Sequence, residues 1–108
     1  MKKVLKAIEN ITKIKPIPLQ TDKAEKAIIY NYYPTAAFKY RLELRVISFT
    51  FADATETANA IIKGLCNFGD SNKIEGISAI DLNGGGCLKD NQTNTIHRLM
   101  YFDITKGE

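Results

Sequence analysis

Between residues 38 and 51 the chain alternates with a two-residue period. Tyr40, Leu42, Leu44 and Val46 fall on one side, and Arg41, Glu43 and Arg45 on the other. Successive side chains of an extended strand point to opposite faces, so this segment reads as a strand with one apolar and one charged face. A helix would scatter the apolar positions around its circumference, because its period is 3.6 rather than 2.0. Beyond Val46, the residues Ile47, Phe49 and Phe51 make the charged side apolar as well. The pattern predicts a strand that starts half exposed and ends covered on both faces.

The period then changes. Ala54, Ala58, Ile61, Ile62, Leu65 and Phe68 recur at helical spacing. Asp53 stands where a helix cap belongs, with Glu56 three residues on, and Gly69 stands where a left-handed C-terminal residue is wanted. Burying the four large side chains of this stripe contributes about 6–12 kcal/mol before conformational entropy is set against it.

An earlier helix is predicted from Val4, Leu5, Ile8, Ile11 and Ile14, with lysines between them and Pro16 as its terminator. Residues 15–19 are then extended, and the N–H-less Pro16 and Pro18 suit a sheet edge. Residues 21–26 read as loop, and 27–33 as a strand closed by Pro34. Two more strands are expected over 74–82 and 95–104, separated by a long polar loop over 83–94. The expected order is α-β-β-β-α-β-β in a single domain over 1–108. That is an α+β fold with a mixed, mainly antiparallel sheet and two helices.

At 108 residues, with 44% hydrophobic and 25% charged side chains, the composition is that of one ordinary globular domain. The net charge of +3 is slight. Lys2, Lys3, Lys6, Lys13 and Lys15 crowd the first segment, where they read as the wet face of an amphipathic helix rather than a nucleic-acid stripe. Cys66 and Cys87 are too isolated for a disulfide framework or a metal site. No charged leader precedes a long apolar run, so the expectation is a chain made inside the cell, with no membrane partner.

Candidate chemistry is sparse. Gly84-Gly85-Gly86 is followed by Cys87-Leu88-Lys89 rather than by a helix, so it reads as a flexible arm and not a phosphate cradle. His97, the single histidine, shares its strand face with Thr95, Leu99, Tyr101 and Asp103. Asp103 lies roughly 20 Å along the strand, too far to orient the imidazole. Cys66 sits beside an apolar stripe, where a thiol is inert. The expectation is therefore no enzyme, no catalytic residue, no cofactor and no metal. Arg41, Glu43 and Arg45 read either as a solvated sheet face or as a subunit contact whose charges set register.

Taken in order, 27–34, 40–49, 54–65 and 96–104 resemble the small tail-terminator or tail-completion proteins of long-tailed bacteriophages and phage-tail-like particles. The resemblance rests on element order and residue type over most of the chain, without a signature motif. It implies a homo-oligomeric ring, a hexamer, that caps the tail tube, ends its polymerisation and offers the joining surface to a head-tail connector or neck protein. The tail tube protein is then a second partner, and DNA only passes through the channel. The place implied is the virion tail, assembled in the cytoplasm of the host bacterium. Under this resemblance the expected subunit contact uses Arg41, Glu43, Arg45 and the arm of Gly84, Gly85, Gly86 and Lys89. A small non-enzymatic module acting on a nucleic-acid machine is the alternative, and a compact enzyme centred on His97 a third reading.

Overall fold

The computed structural model describes residues 2–18, 26–66, 74 and 76–107. Helix α1 covers Lys2–Thr12 and helix α2 covers Phe51–Cys66. The strands are β1 (Ile17–Pro18), β2 (Ala27–Ala36), β3 (Lys39–Ser48), β4 (Ile77–Asp90) and β5 (Thr95–Lys106). Their order along the chain is the α-β-β-β-α-β-β expected of this α+β fold. In space the sheet order is β1-β2-β3-β5-β4, with β1 parallel to β2 and every other pair antiparallel.

Both helices pack on one face of the sheet. That face carries Ile28, Leu42, Leu44, Val46, Ile80, Met100, Phe102 and Ile104, which join Val4, Ile8, Ala58, Ile61 and Leu65 in one buried cluster. The β3–β5 register places Leu42 opposite Phe102 and Leu44 opposite Met100, so the apolar alternation of two central strands coincides. A one-residue slip of either strand would turn its apolar set to solvent, which is what locks this register. Gly64 lets the helices approach: a Cβ there would overlap the Ile11 side chain of α1.

Several local expectations need correction. Strand β2 does not stop at Pro34 but runs to Ala36, with a register shift between Pro34 and Ala36. Among the described residues β1 pairs only with Ile29 and Tyr30, so Pro34 lies on the open edge of β2, where a proline is tolerated. Strand β3 ends at Ser48, and Phe49 and Phe51 are exposed rather than covered, because the chain has already turned into α2. The cap of α2 is Thr50, not Asp53: Thr50 Oγ1 accepts the Asp53 N–H at 3.1 Å. Asp53 is the third helical residue, and its carboxylate accepts bonds from Ser48 Oγ and Lys26 Nζ. These two donors, Ser48 first, hold its pKa below the ordinary carboxylate value.

The largest correction concerns the loop expected over 83–94. Residues 83–90 belong to β4, a strand of 14 residues, and only the 91–94 turn separates it from β5. The glycines are accommodated in a β-bulge between Leu82 and Gly85, not in a mobile arm. Gly84 takes a left-handed φ of 98°, and a Cβ on Gly85 would overlap the Leu99 carbonyl oxygen of β5. The expectations for 19–25, Phe68 and Gly69 fall outside the described residues.

Candidate interaction face

Opposite the helices the sheet carries its second set of side chains, arranged in rows by the strand register. Tyr33, Arg41 and Asp103 form one row, Asn31, Glu43 and Tyr101 the next, and Ile29, Arg45, Leu99 and Gly86 a third. Ala27, Ile47, His97 and Leu88 form the last row, towards the 91–94 turn. Along β2, β3 and β5 the rows grade from wet to dry. Tyr33 is exposed, Arg41, Glu43 and Arg45 are half-buried, and Ile29, Ile47 and His97 are buried.

The structure thus brings Arg41, Glu43 and Arg45 onto one face, as their alternation requires. Arg41 is not a free cation: its Nε and one terminal nitrogen each lie 3.1 Å from Asp103 Oδ1. This hydrogen bond and charge pairing with Asp103 push the guanidinium pKa further up. Asp103 Oδ2 also accepts a 2.6 Å bond from Asn83 Nδ2. Glu43 accepts the phenolic O–H of Tyr33 at 3.1 Å. Loss of solvent, followed by the Glu43 hydrogen bond, raises the Tyr33 pKa. The first contact is part-buried and the second exposed, and with solvent reaching both they set geometry more than stability.

Sequence reasoning missed Asp103, Asn83 and Tyr33 as members of this network. The alternation of β5 places Asp103 on the face, but nothing local says that Arg41 lies opposite.

The second half of the candidate set divides. Gly84 and Gly86 border the face, with Gly84 beside the Tyr101 ring and Gly86 opposite Leu99. Gly85 and Lys89 do not: they pair with Met100 and Ile96, whose side chains point to the helix side. The bulge changes the face presented by each residue beyond it, a reversal that reading the segment as a loop conceals.

His97 is 2% exposed. Its Nε2 shares a hydrogen bond with Thr95 Oγ1 at 3.0 Å, and Thr95 Oγ1 shares a 2.6 Å bond with Thr93 Oγ1. Asp90 Oδ2 stands 4.0 Å from Nε2, while Nδ1 has no hydrogen-bond partner. Burial chiefly, and then Arg45, lower the imidazole pKa, against a smaller opposing pull from Asp90. Asp90 is itself held below the ordinary value, first by the Gln92 N–H, which donates at 2.9 Å. The imidazole is thus enclosed beside the β4–β5 turn, bonded to Thr95 and close to Asp90.

No protein-family model matches this chain, and no curated protein matches it. The functional reading therefore rests on the residues themselves. Among the described residues no three histidine, cysteine or acidic side chains are grouped to hold a metal ion, and no helix is long and apolar enough to cross a membrane. Cys66 is half-buried with its thiol pKa raised, chiefly by burial, and Cys87 is exposed on β4.

Proposed function

We propose that this chain is a structural ring subunit of a phage tail or phage-tail-like particle. In this reading six copies close a ring on the end of the tail tube, stop its growth and present the joining surface to a connector or neck protein. A ring needs a head-to-tail contact between two different surfaces of the same molecule, with a rotation that closes.

The observation that carries the reading is the contrast between the two sheet edges. On one side, among the described residues, β4 is an unpaired edge strand of 14 residues, with Leu82 and Leu88 exposed at 45% and 43%. On the other, the edge is divided between the two-residue β1 and the proline-bearing end of β2. Long open edges invite another strand, whereas prolines blunt them, so the two edges differ in the way a heterologous contact requires. The Arg41–Asp103 and Tyr33–Glu43 pairs lie on the adjoining face, where fixed charges impose register on a neighbour.

The test is the mass of the purified chain by light scattering, alone and with isolated tail tubes, together with negative-stain images of tube ends. Six-fold rings, free or only on tubes, support the proposal. A monomer under both conditions, with bare tube ends, refutes it.

A further inference from the structure

The imidazole of His97 is buried against the β4–β5 turn with only one of its two nitrogens satisfied. Nε2 is bonded to Thr95 Oγ1, Thr95 Oγ1 to Thr93 Oγ1, and the Thr93 hydroxyl to the Asp90 carboxylate. An ionised carboxylate only accepts, so the chain has one direction: Thr93 donates to Asp90, Thr95 to Thr93, and the Nε2–H to Thr95. Nδ1 is then a bare acceptor, enclosed and without a partner. The neutral ring leaves that lone pair unbonded. A second proton must sit there, placing an N–H and a positive charge where nothing accepts them.

We propose that His97 is an acid-sensitive latch: its protonation releases the Thr95–Thr93–Asp90 chain and opens residues 91–94 with the Leu88–Asp90 end of β4, while the rest of the sheet stays folded. Two charged groups face the ring among the described residues, Arg45 from β3 and Asp90 from β4. Its other neighbours by register and sequence, Ala27, Ile47, Leu88, Thr95 and Leu99, are uncharged. Burial and Arg45 act against the imidazolium. Asp90 attracts it, but at 4.0 Å is beyond hydrogen-bond reach, and its Oδ1 already accepts the Gln92 and Thr93 N–H groups. The carboxylate thus reaches the charged ring only after the turn rearranges. The opening stays local because His97 lies outside the buried cluster that joins the helices to the sheet. A β-bulge between Leu82 and Gly85 also separates the end of β4 from its first half. This inference does not depend on the ring reading.

The test is amide hydrogen exchange by NMR on the whole chain between pH 7.5 and 5, as protection factors, with and without low urea. Global unfolding exposes much surface and is accelerated by urea, whereas a local opening is not. Gln92 and Thr93 are expected to lose protection about threefold or more through urea-insensitive openings, under a ceiling of about 30-fold set by release of a group titrating at 6.5. The Lys106 amide, bonded to the Phe38 carbonyl at the other end of the sheet, shows no such local response. A histidine that only fills space would move only the amides that exchange by global unfolding. His97→Gln, which keeps an N–H for Thr95 and does not titrate, abolishes the response at Gln92 and Thr93. Thr93→Val leaves the ring intact but breaks the chain, so Gln92 is less protected at pH 7.5 and loses less on acidification. Protection of Gln92 and Thr93 that is independent of pH, or that rises at pH 5, overturns the proposal. So does a response confined to urea-sensitive openings, or the wild-type response persisting in both variants.

Discussion

Gly85 and Gly86 are neighbours in one strand, yet alanine at the two sites should have opposite effects. A Cβ on Gly85 would overlap the Leu99 carbonyl oxygen and stand 3.2 Å from its carbonyl carbon and 3.3 Å from Met100 Cα. All three are backbone atoms of β5, held between β3 and β4, so no side chain can swing away to make room. Strand β4 must move off instead. Overpacking of this kind costs about 1–3 kcal/mol, and each strained ladder hydrogen bond adds about 1 kcal/mol. Gly85→Ala is therefore expected to lose about 2–4 kcal/mol. At 4–8 °C per kcal/mol for a domain near this size, Tm falls by roughly 8–32 °C.

At Gly86 a Cβ meets nothing within 4 Å, and the backbone is not left-handed. Gly86→Ala should then be neutral, or stabilising by up to about 1 kcal/mol through the lower entropy of the unfolded chain. The assay is urea unfolding of both variants beside the wild type, followed by far-UV circular dichroism. A Gly85→Ala midpoint within error of wild type would refute the reasoning, as would equal losses at the two sites. Either result would mean that β4 is not seated on β5 in this register.

Other expectations follow from the same packing. His97 is held neutral, with its pKa below the ordinary 6.5, so the unfolded chain binds its proton more tightly than the fold does. That part of the stability is present above pH 6.5 and is lost as pH falls towards the folded value; His97→Leu should flatten the slope of unfolding free energy between pH 7.5 and 5. Asp53 and Asp90 act in a lower window: their depressed pKa values contribute stability that disappears only as pH falls below the ordinary carboxylate value of 3.8. Thr50→Ala removes the cap of α2 and should cost about 1 kcal/mol, while Thr50→Ser keeps most of it, by thermal unfolding. Arg45→Glu should leave the fold intact and raise the His97 pKa, measured by NMR titration, because a lowering charge becomes a raising one. If the ring reading holds, the same change weakens self-association in light scattering.

Much of this molecule is written locally. The alternation from Tyr40 to Val46, the stripe from Ala54 to Leu65 and the helix-excluding Pro16 each depend on neighbours within one or two turns of chain. Period and composition therefore suffice to recover the two helices, the central strands and the α+β class. The bulge at Gly84 and Gly85 was not legible in that way. Three adjacent glycines look like loop chemistry, and their place in a strand follows only from how closely the Leu99 carbonyl of β5 approaches. Thr50 was legible in principle, since a hydroxyl followed three residues later by Asp53 is a cap signal, but the apolar run through Phe49 and Phe51 obscured it.

The candidate face divides along the same line. That Arg41, Glu43 and Arg45 share a side is a property of any extended chain carrying that sequence. What they touch is not: Arg41 meets Asp103 from 62 residues away, and Glu43 meets Tyr33 across the hairpin from 10 residues away. Those partners are set by strand register, and register is set by burying Leu42 against Phe102 and Leu44 against Met100 on the opposite side of the sheet. The chain alone determined which groups travel together. The packed sheet decided which of them meet, because hydrogen-bond register and apolar burial act between strands and leave no local trace.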